Sequence, residues 1–206
     1  MEKKDLLKDV IKHIDIKSYN STELVDAMRN MSFTSRDTAR AADILMMMCK
    51  EKECTNILTL AGSTSAAGCM QVYVDMVRNK MIDVVVATGA SIIDMDLFEA
   101  LGFKHYIGEK ENVIADTTLR DLYIDRIYDT YIDEEELQAC DHTTFEIANM
   151  LEARPYSSRE FIYEIGKWLH DGHAVKKDSL IQTCYECGVP IFVPAFSDSS
   201  AGFGIG

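Results

Sequence analysis

Ile82-Asp83-Val84-Val85-Val86 runs straight into Ala87-Thr88-Gly89-Ala90-Ser91. The first half is nearly all apolar and β-branched, as a strand covered on both faces must be. The second half is a loop of small residues that leaves backbone N–H groups open to approach. Working outward, the same junction recurs twice. Asn56-Ile57-Leu58-Thr59-Leu60 leads into Ala61-Gly62-Ser63-Thr64-Ser65, and Val189-Pro190-Ile191-Phe192-Val193 leads into Ser197-Asp198-Ser199-Ser200-Ala201-Gly202. In an open parallel sheet, loops at the carboxyl ends of the strands line the ligand crevice. Ser65 to Lys80, with Ala66, Met70, Val74 and Val77 on an apolar face, predicts a helix between the first two strands. That makes a βαβ unit with parallel strands.

Further helices are predicted around this centre. Asn20-Ser21-Thr22-Glu23 offers a cap before Leu24, Val25 and Met28, and Thr34-Ser35-Arg36-Asp37 opens a second helix that runs to about Lys52. A helix from about Asp94 to Leu101 follows the second loop, with Gly102 at its C-terminal end. Residues 105–140 read as polar and irregular, with one short strand across Arg126–Ile132 and an acidic first helical turn at Asp133-Glu134-Glu135-Glu136. Residues 142–153, 158–170 and 177–187 read as three more helices, the middle one opened by the near capping box Ser157-Ser158-Arg159-Glu160. Strands alternating with helices predict an α/β three-layer fold with a mostly parallel sheet. The expected organisation is one α/β domain over 1–206: an N-terminal helical segment over about 1–53, then a core over about 54–206 that is incomplete at its C-terminus.

Composition narrows the function. The 206 residues carry a formal net charge of −13. That argues against the clustered Lys and Arg of a nucleic-acid footprint; it suits a cationic substrate or a basic protein partner, or plain solubility. The opening Met-Glu-Lys-Lys-Asp has no apolar signal core, and no apolar run reaches membrane-span length. Together with six cysteines in no disulfide-framework pattern, this predicts a cytoplasmic setting with reduced thiols. Cys184-Tyr185-Glu186-Cys187 lacks the second pair or histidine partner that zinc requires, so no metal site is expected.

The first loop, Gly62-Ser63-Thr64-Ser65-Ala66-Ala67-Gly68, is neither a dinucleotide fingerprint nor a P-loop. Its hydroxyls and free amides at a helix N-terminus can still hold anions or polar cofactor edges. Three such loops on three strands point to a ligand of nucleotide size. Asp198 follows a strand directly, where a carboxylate can bond a ribose hydroxyl. Asp94 and Asp96 can meet an amine nitrogen or cap a helix. The five histidines (His13, His105, His142, His170, His173) are scattered and read as surface or structural groups, with His105 alone near the expected cleft.

Leu58–Gly68, Asp83–Ala90, Asp96–Gly102, Arg126-Ile127-Tyr128-Asp129 and Val189–Ser200 together resemble the deoxyhypusine synthase family, most closely its bacterial deoxyhypusine synthase-like branch. The resemblance runs from about residue 10 to the last residue. It implies Rossmann-like subunits in a homotetramer, with active sites at dimer interfaces. The implied activity is NAD-dependent transfer of an aminobutyl group from spermidine, or a related polyamine, to a lysine of a translation factor (making hypusine) or to a free amine. By position it places Gly62, Ser63, Thr64, Ser65, Ala66, Thr88, Gly89, Ala90 and Asp198 at NAD, and Asp94 and Asp96 at the polyamine.

The chain departs from the family in three places. The paired glutamates after the second loop are replaced by Ile93-Asp94-Met95-Asp96, one residue longer. Phe203 stands where the third loop usually has a second Asp. The Gly-rich segment that carries the family's catalytic lysine lies beyond this chain, and neither Lys176 nor Lys177 stands in for it. Two readings follow: a subunit of the transferase cut short, or a truncated non-catalytic paralogue that binds or regulates.

Overall fold

The structure is a computed structural model that describes residues 1–109 and 113–202. Phe203 and the terminal Gly206 lie outside the described residues. Two three-stranded sheets organise the chain. The first holds β1 (Ile57–Leu60), β2 (Val84–Ala87) and β6 (Ile191–Phe192) in the order β1-β2-β6, all parallel. β2 is central, which is why Val85 and Ala87 are buried and why the run from Ile82 carries almost no polar side chain. The three expected strands are therefore the three strands of one parallel sheet. Their loops leave it at the same end.

The second sheet is antiparallel and was not expected. β3 (His105–Ile107), β5 (Thr130–Asp133) and β4 (Ile124–Ile127) pair in the order β3-β5-β4. The segment Arg126–Ile132, read as one strand, is a hairpin that turns at Tyr128 in a left-handed conformation (φ 55°). Val10 adds an isolated bridge to Tyr106, so an N-terminal strap extends this sheet.

Nine α-helices complete the described chain: α1 (Lys3–Leu6), α2 (Thr22–Met28), α3 (Phe33–Lys50), α4 (Met70–Arg78), α5 (Phe98–Ala100), α6 (Asp116–Asp121), α7 (Glu134–Met150), α8 (Ser158–Trp168) and α9 (Leu180–Cys187). Two carry wide π-type turns at their start: Ser65–Cys69 runs into α4, and Ala90–Leu97 runs into α5. α9 packs against both α4 and α8, and α8 also packs on β6. The main core gathers Val74, Val85, Ile92, Ile93, Leu97, Phe98, Ile165, Leu180 and Ile181 between these helices and the parallel sheet. Burial of nine such side chains is the main force holding this layer, at roughly 1.5–3 kcal/mol each before entropy is counted.

Local signals are visible at the helix ends. Ser157 and Glu160 close a capping box on α8, and Asp133 accepts from the amides of Glu135 and Glu136 at the acidic start of α7. α7 begins at Glu134, eight residues before the helix expected at 142, because the acidic turn and the later apolar positions belong to one helix. Gly102 ends α5 at φ 98°, a conformation costly for any residue with a Cβ. All six cysteines are free, with Cys184 buried in the core and Cys187 exposed. α2 and α3 pack on each other. They leave Leu24, Met31, Ile44, Met46 and Met47 exposed.

Candidate functional site

The three loops are tied together by short-range chemistry at one end of the parallel sheet. Ser91 Oγ donates to the carbonyl of Gly62 at 3.1 Å, joining the second loop to the first. The Thr88 amide donates to the Leu60 carbonyl at 3.1 Å, and Thr88 Oγ1 lies 3.0 Å from Ser91 Oγ. Gly89 joins the second loop to the third: a Cβ there would stand 2.8 Å from the Phe196 carbonyl and 2.8 Å from Ser199 Cβ. Glycine is what lets these two backbones meet.

The expected cofactor residues fall around this junction. Gly62 and Thr64 are exposed and Ser63 half-buried; the space beside Gly62 is open, since a Cβ there would meet nothing within 4 Å. Thr64 Oγ1 accepts from the Tyr73 hydroxyl at 2.8 Å. Ser65 and Ala66 are buried, and Ser65 Oγ is buried without a hydrogen-bond partner. A hydroxyl left so at a loop lined with open amides has unused capacity for a ligand. Thr88 and Ala90 are half-buried and Gly89 is buried. Asp198 sits in a short 3-10 turn (Phe196–Asp198) at the exposed rim. Small side chains, an orphaned hydroxyl and an exposed carboxylate thus gather where the three loops meet.

The two expected amine carboxylates are placed differently. Asp96 is 1% exposed. Its Oδ1 and Oδ2 accept from the amides of Leu180 and Ile181 at 2.8 and 2.7 Å. It holds the first two amides of α9 from another helix, and buried this deeply it is closed to an amine from outside. Burial pushes its pKa up to about 6 against the pull of those two amides. Asp94 is half-buried. Its Oδ2 accepts from the Ser200 amide of the third loop at 3.1 Å, and its Oδ1 is buried with no partner. Burial, with a lesser push from Asp141, raises its pKa to about 7.

Two residues at this place carried no local signal. Asp141, on α7, accepts a very short hydrogen bond from Ser200 Oγ, and its own Oδ1 is also buried without a partner. Ser200 thus bridges two carboxylates. The pair is 47 residues apart in sequence and meets Ser200 from 106 and 59 residues away, so spacing could not reveal it.

The histidines near the strap form a separate network. Glu99 accepts from His13 at 2.6 Å, from His105 at 2.9 Å and from Lys176. Burial alone would raise the Glu99 pKa, but these three partners hold it well below the ordinary carboxylate range. His13 also accepts from the Met70 amide, so this cluster pins the N-terminal strap to the core. Lys176 is committed to Glu99 here. Among the described residues no group of three or more His, Cys, Asp or Glu side chains could hold a metal ion. No helix among them is long and apolar enough to cross a membrane.

A family model described as deoxyhypusine synthase matches residues 23–205. A deoxyhypusine synthase-like protein of Caulobacter vibrioides is 67% identical over 204 residues, which cover 99% of this chain and 55% of that protein. A protein of the same description from Coxiella burnetii is 60% identical over 203 residues, covering 98% of this chain and 57% of that one. The chain thus spans about half the length of the curated relatives it matches. A crystal structure from Entamoeba histolytica, described as a deoxyhypusine synthase, superposes with a TM-score of 0.61 at 20% identity, over 94% of this chain and 67% of that one. That likeness extends the α/β fold to a solved structure.

Proposed function

Because the chain belongs to the deoxyhypusine synthase family, we propose that its three loops form the NAD-facing and amine-facing parts of an aminobutyl transferase site. The donor in this reading is spermidine or a related polyamine, and the acceptor is a protein lysine or a free amine. The observation that carries the reading is the convergence itself: Ser91 on Gly62, Gly89 against Phe196 and Ser199, and Asp94 on Ser200. A generic sheet edge needs none of these ties.

Bound NAD would supply a hydride acceptor for oxidising an amine. The chain's own residues have distinct tasks. The amides of Gly62 to Ala66, at the start of the helical turns leading to α4, face the phosphates. Ser65 Oγ and Thr88, Gly89 and Ala90 line the cofactor, and Asp198 accepts from a ribose hydroxyl. Asp94 Oδ1 receives the cationic nitrogen. An alkylammonium must lose a proton before hydride can leave the neighbouring carbon. A carboxylate titrating at about 7 is suited to take that proton near neutral pH. The acidic surface, at a net charge of −13, draws a polycation or a basic protein toward the cleft. The family's oligomeric assembly and a cytoplasmic location belong to the same proposal.

Calorimetry with NAD tests the reading. Asp198→Ala is expected to weaken NAD binding by about 1–3 kcal/mol, the loss of a charge-assisted hydrogen bond. Unchanged affinity removes Asp198 from the cofactor site. Spermidine-dependent appearance of NADH tests the chemistry.

A further inference from the structure

Ser200 joins Asp94 to a second carboxylate that the proposed chemistry has not used. The Ser200 amide donates to Asp94 Oδ2 at 3.1 Å, and the Ser200 hydroxyl donates to Asp141 Oδ2. Asp141 lies on α7, and its neighbour Cys140 donates from Sγ to the Ile93 carbonyl at 3.6 Å inside the core. Two successive residues of α7 therefore grip both sides of the cleft: Cys140 the segment that carries Asp94, and Asp141 the third loop. Each carboxylate keeps one oxygen, its Oδ1, buried and unpartnered. A buried acceptor without a donor is costly, and two of them beside one bridging serine are cheaper to keep if a donor arrives to serve them.

We propose that Asp141 is a positioning residue for Asp94, acting through Ser200 to hold the third loop closed and to present the free Asp94 oxygen, within a carboxylate pair, to one cationic nitrogen of the substrate. This rests on the reading of Asp94 as the amine ligand. The groups that bear on Asp94 from the elements packed against it are few. From α7 they are Asp141 and Cys140; the Cys140 thiol is pushed up by burial and then by these two aspartates. From the third loop the group is the Ser200 amide, while Asp198 stands at that loop's exposed rim. On its own helix, Asp96 and Glu99 are engaged elsewhere. Burial, opposed by the Ser200 hydrogen bond, raises the Asp141 pKa as well. The pair therefore favours holding a proton when no cation is present, and a cation that binds displaces it.

The test uses the 206-residue chain with NAD present, spermidine as the probe, and calorimetry from about pH 6 to about pH 9. Asp141→Asn keeps an acceptor for Ser200 but removes the charge. It is expected to weaken spermidine binding at least about ten-fold and to move the midpoint of the affinity–pH profile to lower pH, with NAD affinity unchanged. Asp141→Glu, which restores the charge, is expected to recover part of both effects. Ser200→Ala breaks the bridge from the other side and serves if Asp141→Asn does not fold. If Asp94→Asn loses spermidine binding while Asp141→Asn matches the unaltered chain in affinity and midpoint, the inference is overturned and the reading of Asp94 stands. If spermidine does not bind, or binds both variants as tightly as the unaltered chain, the amine reading of Asp94 falls and the inference with it.

Discussion

Asp96 and Asp94 stand two residues apart on one helical segment and face opposite ends of it. Asp96 points into the core and spends both oxygens on the first amides of α9. Asp94 meets the third loop, where its Oδ2 accepts from the Ser200 amide and its Oδ1 is buried without a partner. Residues spaced by two diverge on any helical segment, and on Ala90–Leu97 every side chain from Ser91 to Leu97 except Asp94 is buried. The lesson is that an acidic doublet after a Gly-rich loop need not be a pair in chemistry. One member builds the scaffold, and the other is left poised for a ligand.

The scaffold member gives the largest expected effect. Asp96→Ala strips two buried amides at the start of α9 of their acceptor, while Ser179 still caps the helix through Gln182; Leu180 and Ile181 belong to the main core. The expected loss is about 3–4 kcal/mol, from two charge-assisted bonds to buried amides. Urea unfolding at pH about 7.5 measures it. A loss under about 1 kcal/mol would place Asp96 with Asp94 as a cleft residue and erase the contrast.

Gly89→Ala tests the mouth of the cleft from its backbone side. The new Cβ would lie 2.8 Å from the Phe196 carbonyl and from Ser199 Cβ, so the third loop must withdraw. Overpacking of this kind costs about 1–3 kcal/mol. Because Ser200 follows Ser199 directly, the shift also draws its amide from Asp94. A variant with native stability and unchanged NAD affinity would show that the loops close independently.

The frame around this contrast was legible in the sequence, and the contrast itself was not, for physical reasons. The three strand–loop junctions were readable because a strand buried on both faces must be a continuous apolar run. The capping box at Ser157 and Glu160 was readable because its partners lie three residues apart. The antiparallel sheet was hidden because β3, β4 and β5 are three or four residues long. Its hairpin also turns at Tyr128, where a glycine or asparagine would have marked the turn. The fate of Asp96 was hidden because its partners lie 84 and 85 residues on. The same holds for Asp141 and Ser200, and for Glu99 with His13 and Lys176. Sequence shows which residue types gather near a loop, but not which of them a distant helix has already claimed.

The smallest expected effect has the opposite sign to the first. Asp94 is an acid whose ordinary pKa of 3.8 rises to about 7 in the folded chain, chiefly through burial. Between those values the folded state binds more proton than the unfolded state, so the ionisation of Asp94 lowers stability as pH rises through that window. Asp94→Asn removes the ionisation and keeps an acceptor for the Ser200 amide. It is expected to stabilise the fold by about 1–2 kcal/mol at pH about 8, where Asp94 is charged in both states, and to change little below pH about 3, where it is neutral in both. Urea unfolding at the two pH values reads the difference directly. Stabilisation of the fold on loss of a carboxylate, together with loss of spermidine binding, is what a residue held for a ligand should show. Destabilisation at both pH values would instead make Asp94 a second Asp96.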